Sequence, residues 1–140
     1  MSVRTGDRSQ GHIQVLNSMR ILEEYTCQIC LSDKIFLGEY NQVFALHILD
    51  KCLDAGAELY DAFHTNPILL QDLLIRRAHQ TECHSHLNSM LHLMEVAFKT
   101  LHISSRQIEY WTGLVLDVEK GLDVWSASDL KRYKKLEVIG

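Results

Sequence analysis

The chain has little that breaks a helix: one proline and seven glycines in 140 residues. Proline removes a backbone donor and glycine is entropically costly inside a helix, so their scarcity leaves long helices open to it. There is no run of about eighteen apolar residues, which excludes a membrane-spanning helix. No apolar segment stands between Met1 and Gly11, so no secretory signal is expected. The cysteines Cys27, Cys30, Cys52 and Cys83 are too few and too scattered for a disulfide framework, and the expectation is a cytoplasmic chain with reduced thiols. A general basic field is missing as well. The net charge is −4, so any nucleic acid would have to be met locally.

What is present fits one ordinary soluble domain, with 46% apolar and 23% charged residues. Charge is unevenly placed. Residues 39–66 carry Glu39, Asp50, Asp54, Glu58 and Asp61 against Lys51 alone. Residues 127–140 are basic, with Lys131, Arg132, Lys134 and Lys135 around Tyr133.

Apolar spacing predicts four helices, over about 11–31, 40–64, 67–102 and 105–126. In the last, Ile108, Trp111, Val115, Val118, Leu122 and Trp125 recur at alternating gaps of three and four, the pattern of a helix buried along one seam. Ser104 with Gln107 three residues on has capping-box spacing. The second helix shows Leu46, Leu49, Leu53, Ala57, Tyr60 and Phe63 as its expected inner face, and the first shows Ile13, Leu16, Leu22, Tyr25 and Ile29. Asn66 and Pro67 suit the start of the third. Ile35, Phe36 and Leu37, in the longest link, are expected to plug one end. Short links between long helices imply antiparallel neighbours, so residues 1–126 read as an all-α, up-down-up-down four-helix bundle followed by a basic tail, 127–140.

The third helix holds the unusual chemistry, with Arg76, Arg77, His79, Cys83, His84, His86 and His92 in one unbroken stretch. His79, Cys83 and His86 lie at i, i+4 and i+7 and could approach one metal ion. Cys27 and Cys30 form a lone C-x-x-C late in an apolar helix, where two core thiols are the simpler reading. Arg77 and His84 match the R-x(4–6)-H spacing of bundle ribonucleases of the HEPN type, with Ala78 where a polar residue usually follows the arginine. The stripe Leu101, Phe98, Met94, Leu91, Leu87 runs on at the same spacing into His84, Gln80 and Arg77, and then Leu73 and Leu70. Drift of a straight helix would instead turn Cys83 inward. A polar segment in that place is either a solvated overhang or a surface for a partner. The basic tail with Tyr133 suits phosphate contact and base stacking, or simply a solvated end.

The segments "LLIRRAHQ…LHLMEVAFKTLHISSRQIEYWTGLVLDVEKGLDVW" and "ALHILDKCLDAGAELY" resemble the four-helix-bundle family of rRNA intervening-sequence proteins. That family includes the accessory variability determinant proteins of diversity-generating retroelements. The likeness spans roughly Lys34 to Ser126 and rests on packing residues: the turn Leu101 to Ser104, and the helix ending Val118, Gly121, Leu122, Trp125. It implies a non-enzymatic bundle without a cofactor, assembling as a ring, typically a pentamer. Its partners would be a reverse transcriptase and its template RNA or RNA/DNA. The nucleic-acid or partner surface would then comprise Arg76, Arg77, His79, His84 and His86, with Lys131, Arg132, Lys134 and Lys135. Arg76 and Arg77 would be its fixed charges. Histidines, which ordinarily titrate near pH 6.5, stand where retroelement members carry lysine and arginine, so binding would strengthen from about pH 8 to about pH 6, with His92 and His102 adding to the charge.

Overall fold

A computed structural model describes the backbone of residues 2–139 except 33, 37 and 102, and side chains from residue 12 to 136 apart from those three and Tyr40. Leu37 and His102, which figured in the expectations above, lie outside the described residues. Four long helices account for most of the chain: α1 (Ser2–Cys30), α2 (Gly38–His64), α3 (Leu70–Thr100) and α4 (Ser105–Arg132). A short α5 (Lys134–Ile139) follows. Each of α1 and α3 packs against both α2 and α4, so α2 and α4 stand diagonally across a square bundle. The described residues contain no strand.

Every long helix buries one seam with gaps of three and four. These are Val15, Met19, Leu22, Thr26, Ile29 on α1 and Ala45, Ile48, Cys52, Ala55, Leu59, Ala62 on α2. On α3 the seam is Leu73, Arg76, Gln80, Cys83, Leu87, Met90, Met94, Ala97, and on α4 it is Trp111, Val115, Val118, Leu122, Trp125, Asp129. Such a repeat lets side chains of neighbouring helices interlock along the whole bundle. The α4 seam is the expected one, extended by a turn. Trp111 is fully buried and its indole Nε1 donates to Thr26 Oγ1 at 3.0 Å, which ties α4 to α1 with no polar group left over on either ring or hydroxyl.

Elsewhere the phase of the repeat differs from expectation. On α2 the larger residues Leu46, Leu53, Tyr60 and Phe63 are exposed and the small ones Ala45, Cys52, Ala55 and Ala62 are inside. Small side chains permit close approach of α2 to α1 and α3, and the bundle takes that option. Ile13 on α1 and Phe98 on α3 are likewise exposed, while Cys83 and Ala97 turn inward. Helix three starts at Leu70 rather than Pro67: the Asp72 carboxylate accepts from Leu69 N at 2.9 Å and Ile68 N at 3.3 Å, a cap that Asn66 does not supply. At Ser104 the cap forms as expected on one side, with Gln107 N donating to Ser104 Oγ at 3.1 Å. The Ser104 hydroxyl in turn donates to Gln107 Oε1 at 3.2 Å, rather than Gln107 reaching the backbone.

Phe36 is fully buried beneath one end of the bundle, with Ile35 packed beside it. Gly38 opens α2 at φ 85°, a left-handed conformation that side chains disfavour. At Gly121 α4 lies tight against α1, since a Cβ there would lie 2.8 Å from Val15 Cγ2. The basic segment 127–140 is not a separate tail: α4 runs through it to Arg132, and its Asp129 is a core residue.

Candidate functional site

The polar stretch of α3 divides between core and surface according to the seam. Arg76 and Gln80 occupy seam positions and are buried; Arg77, His79, His84 and His86 flank it and are half-buried. A buried guanidinium must be neutralised by an opposite charge. Asp129 on α4 does this: Arg76 Nε lies 3.0 Å from Asp129 Oδ2, and Nη2 donates to Oδ1 at 3.2 Å, a two-pronged contact. Gln80 Nε2 donates to Asp129 Oδ2 at 3.1 Å, and Arg76 Nη1 reaches the Thr65 carbonyl at 3.4 Å. The guanidinium also lies over the Trp125 ring at 4.6 Å and near Tyr133 at 5.8 Å. Arg76 is therefore a structural charge inside the bundle, contrary to its expected place on a partner surface. His12 of α1 stacks near Trp125, with ring centroids 5.0 Å apart. Burial, with Arg76 and Arg132 close by, holds its imidazole below the usual histidine range.

Arg77 and His84 meet in a groove of about 330 Å³ between α3 and α4, lined also by Gln80, Thr81, Ser126 and Leu130. His84 Nε2 is 2.9 Å from Asp123 Oδ1, and its Nδ1 is 3.8 Å from Glu119 Oε1. Burial raises the Glu119 carboxyl above its ordinary range, against the pull of His84. Nε2 of His84 is thus hydrogen-bonded to Asp123, whereas Nδ1 lies beyond hydrogen-bonding distance of Glu119. Arg77 and His84, the pair singled out by its R-x(4–6)-H spacing, thus share a groove, with His84 held by Asp123 of α4.

The residues expected to share a metal do not converge. Cys83 is in the core, where burial pushes its thiol up to about 12. His79 instead turns to α2, with Nδ1 2.6 Å from Glu58 Oε2 and Asp61 close by. His86 stays on its own helix, 3.9 Å from Glu82. Cys30 and Cys52 are also pushed up to about 12 by burial, in keeping with core thiols. Lys131, Arg132, Lys134 and Lys135 are all exposed, as are Arg20, Lys34, Lys99, Arg106 and Lys120 elsewhere on the bundle.

Sequence reasoning missed Asp129, Asp123 and Glu119. The signal for Asp129 was present, because it continues the Trp111-to-Trp125 repeat by four residues and so falls at a core position. An acid at a core position calls for a base on a facing seam, which is Arg76. Compared with known proteins, the chain matches no family model, no curated protein and no solved structure.

Proposed function

We propose that this bundle is a non-catalytic, homo-oligomeric accessory protein of a diversity-generating retroelement, holding a reverse transcriptase and its template RNA. The observation that carries the reading is the row of large apolar side chains left outside α2: Val43, Leu46, Leu53 and Tyr60 are 44–60% exposed. A helix that is apolar on two opposite faces has a second face to cover, which suits an assembly rather than a lone bundle. The resemblance in packing motifs supplies the rest of the reading, including a ring, by resemblance a pentamer. In this reading the exposed Arg132, Lys134 and Lys135 would meet RNA phosphates, and the outer face of α2, with its exposed acids, would meet protein.

The test is fluorescence anisotropy with a structured RNA over a salt series, beside sedimentation of the protein at micromolar concentration. The expected result is a species heavier than the 16.1 kDa chain, with a log–log salt slope that falls by about 0.9 for each phosphate contact removed by an Arg132→Ala, Lys134→Ala or Lys135→Ala change. A monomer without RNA affinity overturns the reading.

A second reading, a bundle ribonuclease, is favoured by one observation: Arg77 and His84 line the same groove. Metal-independent cleavage of a fluorogenic RNA that is lost in His84→Ala and in Arg77→Ala would replace the scaffold reading with it. The expected outcome is no cleavage.

A further inference from the structure

The flank along which α2 and α3 meet gathers three side chains of the kind that ligate metal ions. Glu58 and Asp61 are on α2 and His79 is on α3, and one donor atom from each lies within 4.8 Å of the other two. Each stands one residue before a buried seam position, namely Leu59, Ala62 and Gln80. That register turns all three to the same edge of the helix pair. The small seam residues Ala55 and Ala62 let α2 come close enough for His79 to reach across, with its Nδ1 2.6 Å from Glu58 Oε2. The side chains of Glu58 and His79 are 28% and 30% exposed and Asp61 is exposed, so the edge is open to water. Two carboxylates one turn apart, in a segment with five acids against Lys51 alone, are short of positive charge.

We propose that Glu58, Asp61 and His79 bind one divalent transition-metal ion, with zinc the best match to the donors. The site stands apart from the accessory-protein reading and does not depend on it. Two carboxylates and a neutral imidazole together carry the charge that a dication neutralises. The imidazole favours zinc and its neighbours over magnesium and calcium, which take oxygen ligands. Three protein ligands leave a fourth tetrahedral position for water, which an edge open to solvent supplies. Zinc bonds of about 2.0–2.1 Å set tetrahedral donors about 3.3 Å apart, so Glu58 and His79 need part by less than ~1 Å. The ion replaces the proton of their hydrogen bond, and that proton leaves to solvent. Because the imidazole comes from a second helix, the three donors converge only in the folded chain. A bound ion therefore clasps α2 to α3 and favours the native state over the unfolded one. Of the set His79, Cys83 and His86 suggested by helical spacing, only His79 takes part.

The test is isothermal titration calorimetry of the untagged full chain with zinc chloride, with circular dichroism to check that each variant keeps its helix content. One zinc ion per chain is expected. Glu58→Gln, Asp61→Asn and His79→Ala are each expected to weaken binding by at least about tenfold, a loss that even an outer-shell partner can bring. The first two keep side-chain shape, so the comparison does not hang on the alanine variant. His92→Ala, on an exposed ring farther along α3, is expected to bind as wild type. Imidazole nitrogen resonances followed by NMR are expected to show one of the eight histidine rings moving with zinc, and that signal is absent from His79→Ala. Thermal melts are expected to rise with zinc in wild type and not in the triple variant. Magnesium and calcium at the same concentration are expected not to displace zinc. No binding of zinc overturns the site, and so does a moving ring that persists in His79→Ala. Binding undiminished in the three variants assigns the ion to adventitious surface ligands and overturns it as well. Displacement by calcium at equal concentration reduces the site to a patch of acids and overturns the role of the imidazole.

Discussion

Arg76 on α3 and Asp129 on α4, 53 positions apart, form a two-pronged ion pair in the bundle interior. Both are at least 95% buried, and Trp125 covers the guanidinium. The pair fixes the last turn of α4 against α3 and so sets where the basic residues after it stand. Removing either partner strands a charge away from water. Arg76→Ala and Asp129→Ala are each expected to lower stability by about 3–5 kcal/mol, whereas Arg76→Met/Asp129→Leu loses much less, because no charge is left buried. Urea denaturation followed by circular dichroism measures this; a double variant as weak as the sum of the two singles would show that the charges do not act as a pair.

Thiol reactivity separates the cysteines. Burial raises Cys30, Cys52 and Cys83 to about 12, so little thiolate is present near neutral pH, and none is accessible. Cys27 alone is partly exposed. Titration with a chromogenic disulfide is expected to label at most Cys27 in the native protein and all four thiols in denaturant. Rapid native labelling of Cys83 would mean that α3 does not sit in the bundle as described.

His12 carries a pH signature whose sign is fixed by its surroundings. Its value in the fold lies below the unfolded 6.5, so the unfolded chain binds the extra proton first. Its contribution to stability is intact above about pH 6.5 and is lost as the pH falls from there towards the folded value. Glu23 and Glu119 act oppositely: burial raises both, so their unfavourable contribution is relieved as the pH falls through their folded values. Comparing wild type with His12→Gln by thermal melts between pH 8 and pH 5.5 isolates the histidine. The stability difference, wild type minus variant, is expected to shrink towards acid pH; a difference independent of pH contradicts it.

Two glycines of α4 should respond in opposite directions. At Gly121 an added methyl meets Val15, so Gly121→Ala is expected to cost about 1–3 kcal/mol, partly recovered by Val15→Ala. At Gly113 nothing lies within 4 Å of the added atom, and Gly113→Ala is expected to stabilise the helix by up to about 1 kcal/mol. Chemical denaturation of the three variants decides; a stabilising Gly121→Ala would place α1 and α4 farther apart.

The histidines proposed for an RNA surface each stand beside an acid. His79 meets Glu58 and His84 meets Asp123, while Glu119 and Glu82 lie 3.8 and 3.9 Å from His84 and His86, so negative charge flanks this part of α3. Anisotropy with a structured RNA is expected to show tighter binding when Glu58 and Asp123 are replaced by Gln and Asn, because negative charge beside the surface is removed. An unchanged affinity would remove these histidines from the RNA surface.

Much of this fold can be read directly from residue order. Sparse glycine and proline, the Ser104 cap and the repeat from Trp111 to Trp125 specify long helices, their approximate ends and the inward face of α4. They do so because caps and periods are local properties of the backbone and of nearest neighbours. Phase on α2 and α3 is a different matter. Two apolar rows with the same period run along α2, and period alone cannot choose between Leu46, Leu53, Tyr60 and Ala45, Cys52, Ala55. Packing chose the small residues, since closer helices bury more of the bundle and leave the larger side chains for another surface. On α3 the same choice put Arg76 inside and Arg77 outside. What decided between two adjacent arginines was an aspartate on another helix, whose charge becomes decisive only when folding removes both groups from water.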